Sequence, residues 1–288
     1  PVIHQRLFTI FFVAGFHHIN RLLGQHHTQR YWRLARPHFI MAIHFTPYTA
    51  KTMMPLTLLL AGPDCVHRYR HALLDAADHL RCQQQPALAQ RIDWQSSRFL
   101  KQQRRRLAPN TLTTLSHSHG YAALLYGQQD ALGVDLEQMR PRNFVALLPW
   151  CARDEEIQWW QQQPSPTLAF YRLWTLKEAL IKAANLDFPA DLRRTGLFRL
   201  PEGGWRIGID HPQCHPCWHG FSHAVSTHMM LSCVWPQANA PQTLFWQGYG
   251  QTVWDLPPGT DNGVLLRRLP EDGAMPKQQN QQTRIDGC

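Results

Sequence analysis

The sequence predicts an α+β protein built from two similar halves. Short apolar or alternating segments, typical of strands, are separated by segments with helical periodicity, and the order strand, helices, strands occurs twice. With 288 residues, of which 44% are hydrophobic, the chain is long enough for one large domain or two small ones. We assign residues 56–132 to the first half and residues 133–236 to the second.

The first half begins with a short apolar strand that ends at a Gly-Pro pair. Helical segments follow, and the half closes with an extended segment and a hairpin. The predicted elements are strand 56–61, helices 67–82 and 91–101, and extended segments 111–115, 121–126 and 131–137. In the second half, helices are predicted around 143–148, 154–163 and 170–186, followed by strands at 196–200, 204–209 and 229–235.

The two ends of the chain lack this pattern. Residues 1–55 contain no acidic residue and seven His by position 44, and we predict an N-terminal extension outside the core. Its apolar run at 7–16 is too short to span a bilayer, so a signal peptide or membrane anchor is the less favoured alternative. Residues 237–288 are rich in Gln, Pro and Gly. We interpret them as a mobile tail or peripheral addition with one candidate strand, 245–254.

The formal charge of +9 raises the question of nucleic-acid binding. Six of the nine charges come from the first 63 residues, which lack Asp and Glu, so the remaining chain is only mildly basic. This distribution also suits a protein that holds a phosphate-rich small molecule and meets an acidic partner. A basic nucleic-acid-binding protein therefore remains an alternative.

The seven Cys form an odd, scattered set rather than a disulfide framework, which favours a reducing cytoplasm. The C-x-x-C pair Cys214 and Cys217 could begin a zinc site, although no second ligand pair follows at finger spacing. A loop before a strand is the preferred interpretation of this segment.

Acidic residues alternate with apolar ones in Leu132-Gly-Val-Asp135-Leu-Glu137. With a period of two, Asp135 and Glu137 point to the same side of a strand. Two such carboxylates repel each other unless the face is solvated or a cation lies between them, and Mg²⁺ prefers oxygen ligands. A hydrated edge strand is the alternative.

The predicted helix at 170–186 carries charges beside its apolar stripe. Trp174, Glu178 and Lys182 follow one another at intervals of four residues, so the acid and the lysine project from neighbouring turns of one face. A solvated Glu–Lys pair on a surface helix would show the same spacing and remains the alternative.

Gly133-Val-Asp-Leu-Glu137 and, after about forty residues, Trp174-Thr-Leu-Lys-Glu-Ala-Leu-Ile-Lys182 resemble the two signature motifs of the 4′-phosphopantetheinyl transferase superfamily. Upstream, Leu115-Ser-His-Ser118 resembles the third motif of that family, in the expected order. The resemblance covers about residues 57–236. It implies the single-chain type of the family, in which a pseudo-twofold axis relates the two halves.

The resemblance also implies an activity. The 4′-phosphopantetheine group of coenzyme A would be transferred to a serine of an apo acyl or peptidyl carrier protein, releasing adenosine 3′,5′-bisphosphate, in an enzyme of the holo-[acyl-carrier-protein] synthase type. Mg²⁺ is the implied metal. Fatty acid, polyketide or nonribosomal peptide biosynthesis is the implied context, in a cytoplasmic monomer without nucleic-acid or membrane partners.

Residue roles follow from the matched motifs. The implied metal ligands are Asp135, Glu137 and Glu178, and the implied catalytic residues are Glu178 and Lys182. A carboxylate near the metal, most plausibly Glu178, or a metal-held water would accept the serine proton, and Lys182 could protonate the leaving phosphate. The implied coenzyme A contacts are Ser116, His117, Lys177 and Lys182. Arg98 is a further implied contact, because the segment 91–101 resembles the first helical region of the family, in which an arginine helps to hold coenzyme A.

One part of the family pattern is missing from this sequence, and two alternative functions remain besides the transferase. The common Gly-Lys-Pro segment before the Ser-His motif has no counterpart, and Lys101 or Arg104–Arg106 are candidates to replace its phosphate contact. A non-catalytic relative that only binds carrier proteins would share the motifs. A different magnesium-dependent phosphotransferase is disfavoured because no Walker glycine loop or kinase signature accompanies the acids.

Overall fold

The computed structural model describes residues 55–214, 217–237, 243–257, 259–261 and 264–270. Five α-helices occur in this part of the chain: α1 (Ala76–Gln84), α2 (Ile92–Leu107), α3 (Phe144–Cys151), α4 (Asp154–Gln161) and α5 (Pro166–Ala184). The first strands are β1 (Leu56–Ala61), β2 (Leu112–Ser118), β3 (Tyr121–Gly127), β4 (Gly133–Gln138), β5 (Thr195–Arg199) and β6 (Trp205–Ile209). The later strands are β7 (Trp218–Ala224), β8 (Met229–Pro236), β9 (Thr243–Tyr249), β10 (Gly259–Asp261) and β11 (Val264–Arg268).

Three sheets organise these strands. The largest has the order β10-β11-β9-β1-β3-β2, the second has the order β4-β8-β7, and β5 pairs with β6 in a short ribbon. Strand β1 is entirely buried, as its mostly apolar sequence predicts for a central strand. It pairs antiparallel with β3 and parallel with β9.

The two halves share one topology. In the first half, β3 lies between β1 and β2 and pairs with both, giving the order β1-β3-β2. In the second half, β8 lies between β4 and β7 in the same way, giving the order β4-β8-β7. Helix α2 precedes β2 and helix α5 precedes β7, so each half also has its long helix at the same point of the chain. The predicted α+β class is confirmed, and the twofold axis remains a prediction.

The main hydrophobic core joins the two large sheets. Apolar side chains of β1 and β3 pack there with those of β4, β7 and β8. Helix α2 packs against the other face of the first sheet, and α5 packs beside β8. Both faces of each of these two sheets are thus covered. This packing holds the edge strands β2 and β4 next to each other.

The C-terminal region differs from the sequence-based interpretation. Within the range predicted as a tail, β9 pairs with β1 along its whole length and β11 pairs with β9. Leu244, Trp246 and Leu256 are buried in the main core. The expectation of a peripheral tail after residue 236 is therefore wrong for these strands. The partner of β9 is β1, which lies almost two hundred residues earlier, so no local sequence pattern could indicate the pairing.

The predicted extension at 1–55 lies outside the described residues, except for Pro55. Among the helices that the structure describes, none combines the length and apolar character needed to cross a bilayer. Strand β7 was not predicted, because its sequence Trp-His-Gly-Phe-Ser-His-Ala lacks a long apolar run.

Candidate active site

The site forms where the edge strands β2 and β4 meet. Alternation along β2 sends Ser116 and Ser118 towards β4 and His117 to the opposite face. Ser116 Oγ donates a hydrogen bond to Asp135 Oδ1 at 2.9 Å, and Ser118 Oγ donates to Glu137 Oε2 at 3.0 Å. Each carboxylate of β4 is thereby held by a hydroxyl from the other half of the protein.

A glycine allows α5 to approach β4. A Cβ atom on Gly133 would lie 1.9 Å from the carbonyl oxygen of Ala179, so no other residue fits without moving the helix. Because Ala179 follows Glu178 directly, this contact brings Glu178 beside the strand that carries Asp135 and Glu137. The glycine of the first signature motif therefore positions the acid of the second.

Three carboxylates converge at this point. One oxygen from each of Asp135, Glu137 and Glu178 lies within 4.8 Å of the other two. They are the only group of three potential metal ligands that the described part of the chain brings together. Cys214 and Cys217 belong to no such group, although residues 215 and 216 between them lie outside the described residues.

Lys182 is the cation of the cluster. Its Nζ lies 2.7 Å from Asp135 Oδ1 and 3.2 Å from both Ser116 Oγ and the carbonyl oxygen of Val134. Spacing along the helix pairs Lys182 with Glu178, but the ion pair in the structure is with Asp135. One ammonium thus faces three carboxylates, which leaves a local excess of negative charge.

The electrostatics of the cluster reflect that excess. Burial and the nearby Asp135 raise the pKa of Glu137 to about 7 and the pKa of Glu178 to about 8. Burial alone would lower the pKa of Lys182, but the carboxylates of Asp135 and Glu178 outweigh it and raise this pKa. Burial and the neighbouring carboxylates therefore favour the protonated form of both glutamates.

The donor set fits Mg²⁺. All three groups offer carboxylate oxygen, the ligand type that this ion prefers. Asp135 Oδ2 is buried and has no hydrogen-bond partner among the described residues, which is a costly state for a carboxylate oxygen unless a cation contacts it. The raised pKa values of the two glutamates point the same way, since a divalent cation would relieve the repulsion.

Lys177, expected to contact coenzyme A, lies elsewhere. Its side chain is fully buried, and Nζ donates to Glu156 Oε2 at 2.8 Å and to the carbonyl oxygens of Leu192 and Thr195. Lys177 lies in the apolar stripe, four residues after Leu173 and three before Leu180, so it points into the protein. The geometry contradicts its predicted role and makes it a structural link between α4, α5 and β5.

Arg98 is also committed to a structural contact. Its guanidinium stacks on Trp94 at 3.4 Å and donates to Asp78 Oδ1 at 2.8 Å, with the side chain almost completely buried. Asp78 is twenty residues away in sequence, so spacing could not reveal the pair. These contacts argue against the expected coenzyme A contact from Arg98.

Lys101 and two of the three arginines suggested as substitutes for the missing lysine have partners as well. Lys101 pairs with Asp75 at 2.7 Å and with Asp78, while Arg104 and Arg105 donate to backbone carbonyls. These bonds hold α2 against its surroundings. Neither Lys101 nor these two arginines is available as a free phosphate contact.

The role of Ser118 was missed in the sequence. Besides Glu137, its Oγ contacts His119 Nδ1 at 3.0 Å, and the His119 ring contacts Arg140. Burial and Arg140 lower the pKa of His119. His119 and Gly120 both have positive φ, 52° and 86°, in the two-residue turn between β2 and β3. The alternation that placed Asp135 and Glu137 on one face could have indicated Ser118, since it shares a face with Ser116.

The α+β fold brings a carboxylate cluster and a lysine from two motifs together at one point. Residues 131–232 match the sequence model of the 4′-phosphopantetheinyl transferase superfamily. The match covers about a third of the chain, and it confirms the resemblance that the motifs predict.

Two relatives extend the match. A Haemophilus influenzae protein named "Putative 4′-phosphopantetheinyl transferase" is 38% identical over 73 residues, which cover 24% of this chain and 31% of the relative. The Bacillus subtilis protein named 4′-phosphopantetheinyl transferase ffp is 30% identical over 113 residues, which cover 38% of this chain and 48% of the relative. The matched region thus spans less than half the length of either relative.

Proposed function

We propose that the chain transfers the 4′-phosphopantetheine group of coenzyme A to a serine of an apo acyl or peptidyl carrier protein. The observation that carries this proposal is the cluster of Asp135, Glu137 and Glu178 with Lys182, inside the region that matches the superfamily. Both named relatives are phosphopantetheinyl transferases by name. The choice of carrier, the synthase subtype and a cytoplasmic, monomeric state remain predictions.

The reaction is a displacement at phosphorus. The serine oxygen of the carrier attacks the phosphorus that bears the pantetheine arm, and the bond from that phosphorus to the bridging pyrophosphate oxygen breaks. Adenosine 3′,5′-bisphosphate leaves with the electron pair. Asp135, Glu137 and Glu178 would hold a Mg²⁺ ion, which would neutralise charge on the pyrophosphate when bound.

The chain's own residues divide the remaining tasks. We assign the proton of the carrier serine to Glu178, the carboxylate that α5 brings to the cluster. Lys182 donates to the leaving phosphate and stabilises its negative charge. Ser116 and Ser118 orient Asp135 and Glu137 through the hydrogen bonds described above.

The test is a mass gain on an apo carrier protein incubated with the full chain, coenzyme A and Mg²⁺. Fatty-acid, polyketide and peptide carriers should be tried. Glu178→Gln should lower the rate on the order of a hundredfold or more, as expected for loss of a group that acts on transition-state charge. The matched control is Glu202→Gln, which removes the same charge at an exposed turn.

The outcomes discriminate between functions. Transfer by the wild type that is lost in Glu178→Gln and kept in Glu202→Gln supports the proposal. Binding of carrier and Mg²⁺ without transfer to any carrier would instead identify a non-catalytic relative.

A further inference from the structure

Three hydroxyl side chains are linked in a row beneath α5, next to the acid cluster. Ser222 Oγ on β7 lies 2.6 Å from Ser232 Oγ on β8, and Ser232 Oγ lies 2.7 Å from Thr175 Oγ1 on α5. Thr175 Oγ1 also donates to the backbone carbonyl of Tyr171 at 2.8 Å. Thr175 and Ser232 are completely buried, and Ser222 is half-buried. This hydroxyl chain therefore bonds α5 to the second sheet through side chains.

The number of protons fixes the direction of each hydrogen bond in the hydroxyl chain. A carbonyl oxygen only accepts, so the single hydroxyl proton of Thr175 goes to Tyr171, and Ser232 donates to Thr175. Ser222 then donates to Ser232, whose own proton is already in use. Each of the three hydroxyls thus has one acceptor. Because a buried hydroxyl is costly unless it is bonded, the three groups depend on one another.

The hydroxyl chain lies in the same cross-strand row as a carboxylate of the cluster. Asp135 pairs directly with Ser232, and Ser232 pairs with Ser222, so all three side chains point to the face of the sheet that α5 covers. Along β8, the neighbours of Ser232 on that face are Met230 and Val234, which are apolar and fully buried. An apolar residue at position 232 would suit such packing, so burial alone does not account for the hydroxyl.

The hydroxyl chain is one of two contacts that locate α5 on the sheet. The other is the close approach of Gly133 to the carbonyl oxygen of Ala179. Thr175 and Ala179 are about one turn apart, and Glu178 lies between them. The glycine contact limits only how near the helix comes, whereas a directional hydrogen bond to Thr175 resists sliding and rotation of the helix. Together the two contacts set where Glu178 lies relative to β4.

We propose that Thr175 and Ser232 are positioning residues that hold Glu178 at the distance from Asp135 that Mg²⁺ needs, and so favour Mg²⁺ over larger divalent cations. This inference rests on the proposed function, in which both carboxylates hold the metal. Mg²⁺ demands near-ideal octahedral geometry with oxygen ligands at about 2.0–2.1 Å, whereas Ca²⁺ accepts irregular geometry at about 2.3–2.6 Å. A loosened helix therefore weakens the binding of Mg²⁺ more than the binding of Ca²⁺.

The experiment measures metal binding rather than turnover. Mg²⁺ and Ca²⁺, as chlorides, are titrated separately into the full chain by calorimetry, and circular dichroism checks that each variant is folded at the temperature used. The variants are Thr175→Val, which keeps the shape and loses the hydroxyl, Thr175→Ser, which keeps the hydroxyl, and Ser232→Ala. The matched control is Thr195→Val, because Thr195 is also fully buried and its hydroxyl donates to a backbone carbonyl at 3.1 Å.

We expect Thr175→Val to raise the Kd of Mg²⁺ about tenfold, the lower end of the range for losing a group that orients a metal ligand, and the Kd of Ca²⁺ less than about threefold. Ser232→Ala should act in the same direction. It carries the test if Thr175→Val does not fold, because it leaves the Thr175 hydroxyl bonded to Tyr171. Thr175→Ser should stay within about twofold of the wild type for both ions, because the hydroxyl is retained. Thr195→Val should keep both Kd values even where its melting temperature falls.

Three results overturn the inference alone. These are an unchanged Kd of Mg²⁺ in whichever of Thr175→Val and Ser232→Ala are folded, an equal loss of affinity for both ions, or a loss that Thr175→Ser shares. If the wild type does not bind Mg²⁺, the metal site of the proposed function fails and the inference fails with it.

Discussion

Replacing Glu178 by Gln should stabilise the metal-free protein at alkaline pH. Glutamate has an ordinary pKa of 4.5, whereas burial and Asp135 raise the pKa of Glu178 to about 8. Between these values the unfolded chain has lost a proton that the folded chain retains, so folding binds a proton and stability falls as pH rises. The sign is opposite to that of an ordinary salt-bridged carboxylate.

The magnitude follows from linkage. One retained proton changes the free energy of unfolding by up to about 1.4 kcal/mol per pH unit. Over this interval the sum is several kcal/mol at most, and because the side chain is partly exposed we expect on the order of 1–3 kcal/mol at pH 8. For a domain of this size each kcal/mol corresponds to about 2–4 °C in the melting temperature.

The assay is thermal unfolding followed by circular dichroism from pH 5 to pH 9, with EDTA or with Mg²⁺. In EDTA at pH 8, Glu178→Gln should melt several degrees above the wild type, and its stability should depend less on pH. Mg²⁺ should stabilise the wild type more than the variant, because the variant lacks one proposed ligand. Glu202→Gln should follow the wild type throughout.

Asp135→Asn provides the contrast. Asp135 holds Lys182 at 2.7 Å and accepts from Ser116, so its loss leaves an ammonium among weaker partners and should lower stability even in EDTA. If Glu178→Gln instead lowers the melting temperature in EDTA at pH 8, with the pH dependence of the wild type retained, the acid cluster is not under repulsion and the reasoning is refuted.

Two further predictions concern the scaffold. Glu156→Gln should lower the free energy of unfolding by about 3–5 kcal/mol, because the buried Lys177 would lose its anionic partner. Urea unfolding measures this free energy, and a change below about 1 kcal/mol would contradict the prediction. A chain that ends at Gln237 should be insoluble or unfolded, because β1 would lose its pairing with β9. A soluble product with the circular dichroism spectrum and melting temperature of the full chain would show that the later strands are dispensable.

The acid cluster was predictable from sequence because each of its members follows a local period. Asp135 and Glu137 share a strand face, and Glu178 and Lys182 share a helix face. The superfamily resemblance then placed the two motifs together. The local pattern could not indicate which carboxylate pairs with Lys182. In the structure Lys182 pairs with Asp135 on β4 rather than with Glu178 on its own helix.

Lys177 and Arg98 were given coenzyme A contacts by resemblance to the family. The structure gives them other partners, Glu156 and Asp78, which lie on other helices about twenty residues away. The position of Lys177 within the apolar stripe was a readable signal of burial. For β9, the sequence contained a candidate strand, and only the fold shows that it pairs with β1.

The pairing of β1 with β9 has a consequence for the order in which the molecule is made. Leu56 lies opposite Leu244, so a nascent chain must be extended by almost two hundred residues before β1 has neighbours on both sides. Until then, one edge of a mostly apolar strand is open to association with other chains. Contacts between such distant segments also slow folding. We therefore expect the first half to stay vulnerable to aggregation on the ribosome until the last strands emerge, and chaperone supply to govern the yield of folded protein.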